Sequence, residues 1–257
     1  MLPVLRLGPF TLPAGPVALI LAFYLTLEIG DREGRRLGLR KDLISNAAFL
    51  SLVAGVAAAR LAYVAENFSS YQLDWSQIIA VNLGTLDVTA GALVGLLAGY
   101  IYLQRRNVKW SVLADALAPA LALALAVWSL GNLLTGDAYG AAARNLPWAI
   151  FLWGEPRHPV QVYEMLAYLA IFTFMQFRAP REPWFEGARF WLAVALLAGA
   201  RVLLEPFRGD SVAWLAGLRS MQVLALVGMT TAAALLARGL SAAHPPGLKR
   251  EPSKNVV

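Results

Sequence analysis

Five ionisable residues lie inside stretches otherwise built of Leu, Ala, Val and Phe: Arg60, Asp115, Glu164, Arg201 and Glu205. A charge near the middle of a bilayer costs about 2.5–3.5 kcal/mol on insertion scales, so each implies a function or a partner. Arg201 and Glu205 stand four apart, share one helix face, and are followed on that face by Arg208. A guanidinium turned toward a water-accessible cavity can hold a phosphate through two parallel hydrogen bonds. A phospholipid headgroup is the anion available at that depth. The same residues can instead be helix-end charges, or ion pairs that lock a helix bundle, and Arg60 and Asp115 fit that reading most readily.

Two further segments concentrate polar groups. Gly131 and Asn132 are followed by Thr135, Gly136, Asp137, Tyr139 and Gly140, where the glycines permit turns and close backbone approach. An ordinary helix C-terminus and loop would read the same way. Arg157 and His158 precede Pro159, a residue suited to the first turn of a helix, and Gln161, Tyr163 and Glu164 follow. His158, Gln161 and Glu164 then line one end of that helix, although His158 can equally be an interfacial cap. Two polar segments and an Arg/Glu face on one side of the membrane describe a headgroup site opening outward, and do not by themselves separate an enzyme from a binder or a transporter.

The elements that must position these groups are membrane helices. Of 257 residues 58% are hydrophobic and 15% charged, with mean hydropathy +0.57, against about 45–50% and about 25% in soluble domains. Seven apolar stretches approach the roughly 20 residues that cross a bilayer: 13–30, 43–65, 87–104, 111–134, 158–177, 188–206 and 214–237. They are long, rich in Ala and Leu, and show no period-2 alternation, so they are helices. The expected fold is all-α and polytopic, with about seven transmembrane helices forming one domain over 1–242 and a disordered basic tail over 243–257. The run from Val17 to Ile29 lacks a close basic flank and a small-residue cleavage site, so it reads as a retained helix rather than a signal peptide.

Basic residues alternate between the loops. Arg32, Arg35, Arg36, Arg40 and Lys41 follow the first span, Arg105, Arg106 and Lys109 the third, and Arg178, Arg181 and Arg189 the fifth, while Glu66 to Asp87 holds no Lys or Arg. The positive-inside rule puts the N-terminus outside and the C-terminus in the cytoplasm. The net charge of +6 is thereby explained by topology, and nucleic acid is not an expected partner. The absence of cysteine removes disulfides and thiolate metal sites. His158 and His244 cannot build a histidine-rich metal site alone, so neither metal nor cofactor is expected.

Together these residues resemble the prolipoprotein diacylglyceryl transferases. The run from Arg157 through His158, Pro159, Gln161, Tyr163 and Glu164 matches a family pattern of His-Pro-x-Gln-x-Tyr-Glu, and Gly131, Asn132, Gly136 and Gly140 are similar to its Gly-Arg-x-Gly-Asn-x-x-Asn-Gly-Glu-x-x-Gly signature. Arg60 with Tyr63, Asp115 with Pro119, Arg201 with Glu205 and Arg208, and Ser220 with Gln222 keep the same order. The resemblance implies a seven-helix inner-membrane enzyme that moves a diacylglyceryl group from phosphatidylglycerol, or another anionic phospholipid, to a lipobox cysteine thiol of a prolipoprotein. It implies Arg201, Asn132, His158, Glu205 and Asp137 as catalytic candidates. Arg60, Gly131, Gly140, Arg157, Gln161, Tyr163, Glu164 and Arg208 become substrate-binding candidates. Several positions depart from the pattern: Ser129 stands at the signature Arg, Ala14 at a Tyr, Ala90 at a His found in many members, Thr135 at an Asn and Asp137 at a Glu. The alternative is a family-derived protein that binds or moves a lipid or other anionic ligand without the reaction.

Overall fold

The computed structural model describes residues 4–7, 10–72, 75–78, 85–180, 183–215 and 217–243; the expected basic tail with His244 lies outside them. The chain is an all-α polytopic protein, and among the described residues three two-stranded hairpins stand at helix ends. In chain order the elements are β1 (Val4–Leu7), β2 (Phe10–Pro13), α1 (Ala14–Arg36), α2 (Leu43–Glu66), the single turn α3 (Phe68–Tyr71), α4 (Val88–Arg105) and α5 (Trp110–Thr135). They continue with β3 (Ile150–Leu152), β4 (Glu155–Arg157), α6 (Val160–Phe177), α7 (Ala188–Leu204), β5 (Ala213–Leu215), β6 (Leu218–Arg219) and α8 (Ser220–Ala243). Among the described residues six helices are long and apolar enough to cross a membrane: α1, α2, α5, α6, α7 with its 3-10 extension to Phe207, and α8. The third expected span, 87–104, forms as α4, but its 18 residues end in Gln104 and Arg105, and it is not one of the six. The last span begins six residues later than expected. Strands at 213–215 and 218–219 pair as a hairpin, with Gly217 at φ 81°, so the apolar residues before α8 are not helical.

By Cα proximity the chain divides into two compact units, Met1–Thr26 with Ala114–Val257, and Leu27–Leu113. In the second unit α1 ends in a Schellman turn: Leu39 N donates to Gly34 O and Gly38 N to Arg35 O, with Gly38 at φ 83°. The next helix is then capped from a distance, since Asp31 of α1 accepts from Ile44 N at 3.0 Å, Ser45 N at 3.1 Å and the Ser45 hydroxyl. Helix α4 packs on α2 along Gly91, Gly95 and Gly99. A Cβ at Gly95 would stand 2.7 Å from Ser51 O, and one at Gly91 2.8 Å from Ala59 Cβ, so only glycine lets the two backbones approach this closely.

In the first unit α5 is buried on opposite sides by alanines: Ala116 and Ala120 on one side and Ala118 and Ala122 on the other are inaccessible to solvent. Asp115 on the same helix caps α7, accepting from Gly187 N at 2.7 Å and Phe190 N at 2.8 Å. Helix α6 turns Gln161, Glu164, Tyr168 and Met175 inward, a stripe at helical spacing that carries its polar members at the N-terminal end. Large apolar side chains such as Leu203 (73% exposed) and Phe177 (72%) point out of the protein, as lipid-facing residues do.

Candidate functional site

In the first unit the N-terminal end of α6, the C-terminal end of α7 and the segment after it bring acid and base together. Glu164 Oε1 accepts from Arg201 Nη1 at 2.9 Å and from Arg208 Nη1 at 2.8 Å. Arg201 Nε faces Glu205 Oε2 at 2.8 Å, the i,i+4 pair expected from the sequence. Arg208 closes its fork on Asp210, with Nε at 2.9 Å and Nη2 at 2.5 Å from the two carboxylate oxygens. Arg219 donates to the carbonyl of Arg208 and, at 2.6 Å, to Ser211 Oγ. Three arginines and three carboxylates therefore nearly balance, and anion binding here depends on directed donors rather than on net charge.

The two principal arginines differ in what they have left to give. Burial opposes the charge of Arg208, but the Asp210 hydrogen bonds and the Glu164 carboxylate outweigh it and raise its pKa above that of an ordinary arginine. Its side chain is 10% exposed, whereas that of Arg201 is 26% exposed. Both line a cavity of about 350 Å³ together with Ser129, Asn132, Glu164 and Tyr168. Arg201 is the more open cation of that cavity. Among the described residues the buried Ser129 hydroxyl has no hydrogen-bond partner, nor has either carboxylate oxygen of Glu205, whose Oε2 meets Arg201 as an ion pair. A buried polar atom without a partner costs on the order of 1–3 kcal/mol, so a ligand that supplied one would be favoured.

The loop from Gly136 to Gly140 forms the rim. It is held by its carbonyls: Trp153 Nε1 donates to Gly136 O at 3.2 Å, Gln161 Nε2 to Asp137 O at 2.8 Å, Arg157 Nη1 to Gly140 O at 3.0 Å and Gly209 N to Tyr139 O at 2.8 Å. The Arg157 guanidinium also stands 4.6 Å above the Tyr139 ring and 2.5 Å from Glu155. Any side chain at Gly140 would meet the carbonyl oxygen of His158 at 2.0 Å. A second cavity, about 480 Å³, opens on the other side of the same helix end, lined by Gly15, Pro16, Leu19, Trp128, Gly131, Asn132, Thr135 and Asp137. Asn132 and Trp128 line both cavities.

Of the residues expected at the site, Arg201, Arg208, Glu164 and Asn132 line the first cavity, Asn132, Gly131 and Asp137 the second, and Glu205 supports Arg201. Arg157, Gln161 and Gly140 hold the rim instead of facing either cavity. His158 packs against Phe207 and Tyr163, with ring centroids 5.1 and 6.2 Å away, and lines neither. Tyr163 accepts from Trp148 Nε1 at 2.7 Å. Arg60 belongs to the other unit. Its guanidinium donates to the carbonyls of Gln77, Ile78 and Thr85 and to Thr85 Oγ1, at 2.5–2.9 Å, over the Tyr71 ring; it fastens a loop. Tyr168, Trp128 and Asp210 were not singled out by sequence reasoning. Tyr168 had a signal, four residues after Glu164 on the same inward face; Asp210, in a loop, had none.

A family described as prolipoprotein diacylglyceryl transferase matches residues 3–238. Among curated relatives, the phosphatidylglycerol–prolipoprotein diacylglyceryl transferase of Clostridioides difficile is 34% identical over 78% of this chain and 80% of its own length. The protein of that name from Corynebacterium diphtheriae is 26% identical over 87% of each chain, and that of Trichormus variabilis 29% identical over 91% of this chain and 88% of its own.

Proposed function

The chain belongs to the prolipoprotein diacylglyceryl transferase family, and from that premise we propose that it transfers the diacylglyceryl group of phosphatidylglycerol to the cysteine thiol of a prolipoprotein lipobox. The observation that carries the reading is Arg201, held by Glu164 and Glu205 and partly exposed on a cavity of about 350 Å³. In the reaction the sulfur attacks the glyceryl carbon, a C–S bond forms, the C–O bond to phosphate breaks, and the electron pair departs on glycerol phosphate. Charge developing on that phosphate needs donors already in place. Arg201 supplies them, with the Asn132 amide and the Ser129 hydroxyl beside it. Glu164 and Glu205 fix the guanidinium plane, and Arg208, closed on Asp210, fixes Glu164.

The setting is the bacterial inner membrane, with basic loops inside. A reporter joined after Val257 is expected on the cytoplasmic side, and a periplasmic signal would reverse the orientation. The function itself is tested by expressing the chain in bacteria depleted of their own transferase and following the mobility shift of a reporter prolipoprotein. Rescue establishes the reaction. Stable expression without rescue would assign the cavity to an anionic ligand that is held and not processed, a reading that Ser129 at the signature Arg position favours.

A further inference from the structure

We propose that the two cavities divide the substrates: the 350 Å³ cavity takes the phosphate of the donor, and the 480 Å³ cavity seats the thiol-bearing segment of the acceptor, with Asp137 as the base that receives its proton. This rests on the transferase reading.

The division follows from what lines each space. Both arginines open on the first cavity and none on the second, whose charged lining residue is Asp137. A phosphate placed beside that carboxylate would meet repulsion with no cation in the lining to offset it. The remaining wall is apolar or small, with Gly15, Pro16, Leu19, Trp128 and Gly131, and only Asn132, Thr135 and Asp137 at one corner are polar. A neutral ligand with small side chains and hydrogen-bond donors suits this lining: peptide N–H groups and one S–H. An acyl chain suits it less, since a chain filling the space would strip water from the carboxylate and return no donor.

Asp137 is prepared for the task. The Thr135 hydroxyl donates to its Oδ2 at 2.7 Å, its own carbonyl is held by Gln161 at 2.8 Å, and its side chain is exposed. The other candidate bases are placed elsewhere. His158 lies in an aromatic cluster, and Glu205 is fully buried against Arg201. Asn132 and Trp128 line both spaces, so the sulfur and the glyceryl carbon would meet at this shared wall, where Asn132 is its polar member. The step balances: the S–H proton goes to the Asp137 carboxylate, the sulfur pair forms the C–S bond, and the phosphate ester oxygen leaves with the C–O pair onto Arg201.

Leu19→Trp, which fills the second cavity, and Asp137→Asn are compared with the unaltered chain in nanodiscs containing phosphatidylglycerol, using a fluorescent peptide of lipobox sequence. Leu19→Trp is expected to weaken peptide binding by about tenfold or more and to leave the phosphatidylglycerol KM unchanged. An unchanged peptide Kd, or a raised phosphatidylglycerol KM in its place, overturns the assignment. Asp137→Asn is expected to lose activity on the order of 10²-fold at neutral pH. That activity should recover as pH rises through about 8.5, where the thiol ionises unaided; an equal loss at every pH overturns the base. Should the unaltered chain bind the peptide at the Leu19 wall yet never turn it over, the acceptor seat stands and the transferase reading fails. Absence of peptide binding to the unaltered chain overturns the seat.

Discussion

Arg60 and Arg201 present the same sequence signal, an arginine within an apolar helix, and the structure uses them in opposite ways. Arg60 spends its donors on three backbone carbonyls and a threonine hydroxyl of its own unit. Arg201 spends part of its capacity on Glu164, Glu205 and the Tyr168 hydroxyl and remains partly exposed on a cavity. The carboxylates divide likewise. Asp31 and Asp115 give both oxygens to the N–H groups at the starts of α2 and α7, whereas Glu205 has a buried oxygen without any hydrogen bond. A charge within the membrane therefore marks a site only when hydrogen-bonding capacity remains and space adjoins it. Fully satisfied charges are part of the scaffold.

The sharpest test exchanges the arginines for lysine, which keeps the charge and removes the planar fork. Arg201→Lys is expected to lower turnover by about 10²–10³-fold, the usual cost of one transition-state donor, while the protein accumulates in the membrane at its normal level. Arg60→Lys is expected to do the reverse, with faster unfolding in detergent and near-normal turnover per folded molecule. Equal losses of turnover in both variants would erase the distinction between them.

A smaller effect separates the carboxylates. Asp115→Asn removes the charge from a helix cap and is expected to cost about 1 kcal/mol of stability, within the range of capping interactions, with phosphatidylglycerol KM unchanged. Glu205→Gln keeps the shape and loses the pair with Arg201, so turnover is expected to fall about tenfold with little change in thermal stability. A denaturation curve and a turnover number for each variant decide the matter. If Asp115→Asn impaired turnover more than stability, the cap would have to be counted with the site.

Much of the scaffold was legible because membrane helices announce themselves by length and composition. All seven expected stretches form helices, six of them long and apolar enough among the described residues to cross a membrane, and α8 starts late because the apolar residues before it, Trp214 among them, belong to a hairpin. The Arg201 and Glu205 pair was legible too, since i,i+4 spacing fixes a shared face, whereas the contact of both arginines with Glu164 was not. Pairings across loops were not legible. Nothing in the local sequence of Arg157 shows that it reaches Gly140, or that Gln161 spends its amide on the carbonyl of Asp137, because both depend on where the 136–140 loop turns. Gly140, expected among the substrate-binding residues, stands where any side chain would collide with the backbone of His158, a closeness that the spacing of its neighbours does not reveal.

The smallest expected effect concerns the residue at which this chain leaves the family pattern. Ser129 is 1% exposed, has a hydroxyl without a partner, and borders the cavity that Arg201 enters. The site around it is nearly balanced in charge, so a new guanidinium would tip it toward an anion and would share the cavity lining with Glu164. Ser129→Arg is therefore expected to raise turnover by roughly 2–10-fold, the worth of one added hydrogen bond of about 0.5–1.5 kcal/mol in the transition state, seen as a higher kcat with phosphatidylglycerol. A lower kcat with a tighter phosphatidylglycerol KM would mean that the added donor holds the ground state, and that Ser129 belongs to a cavity already fitted to its donor.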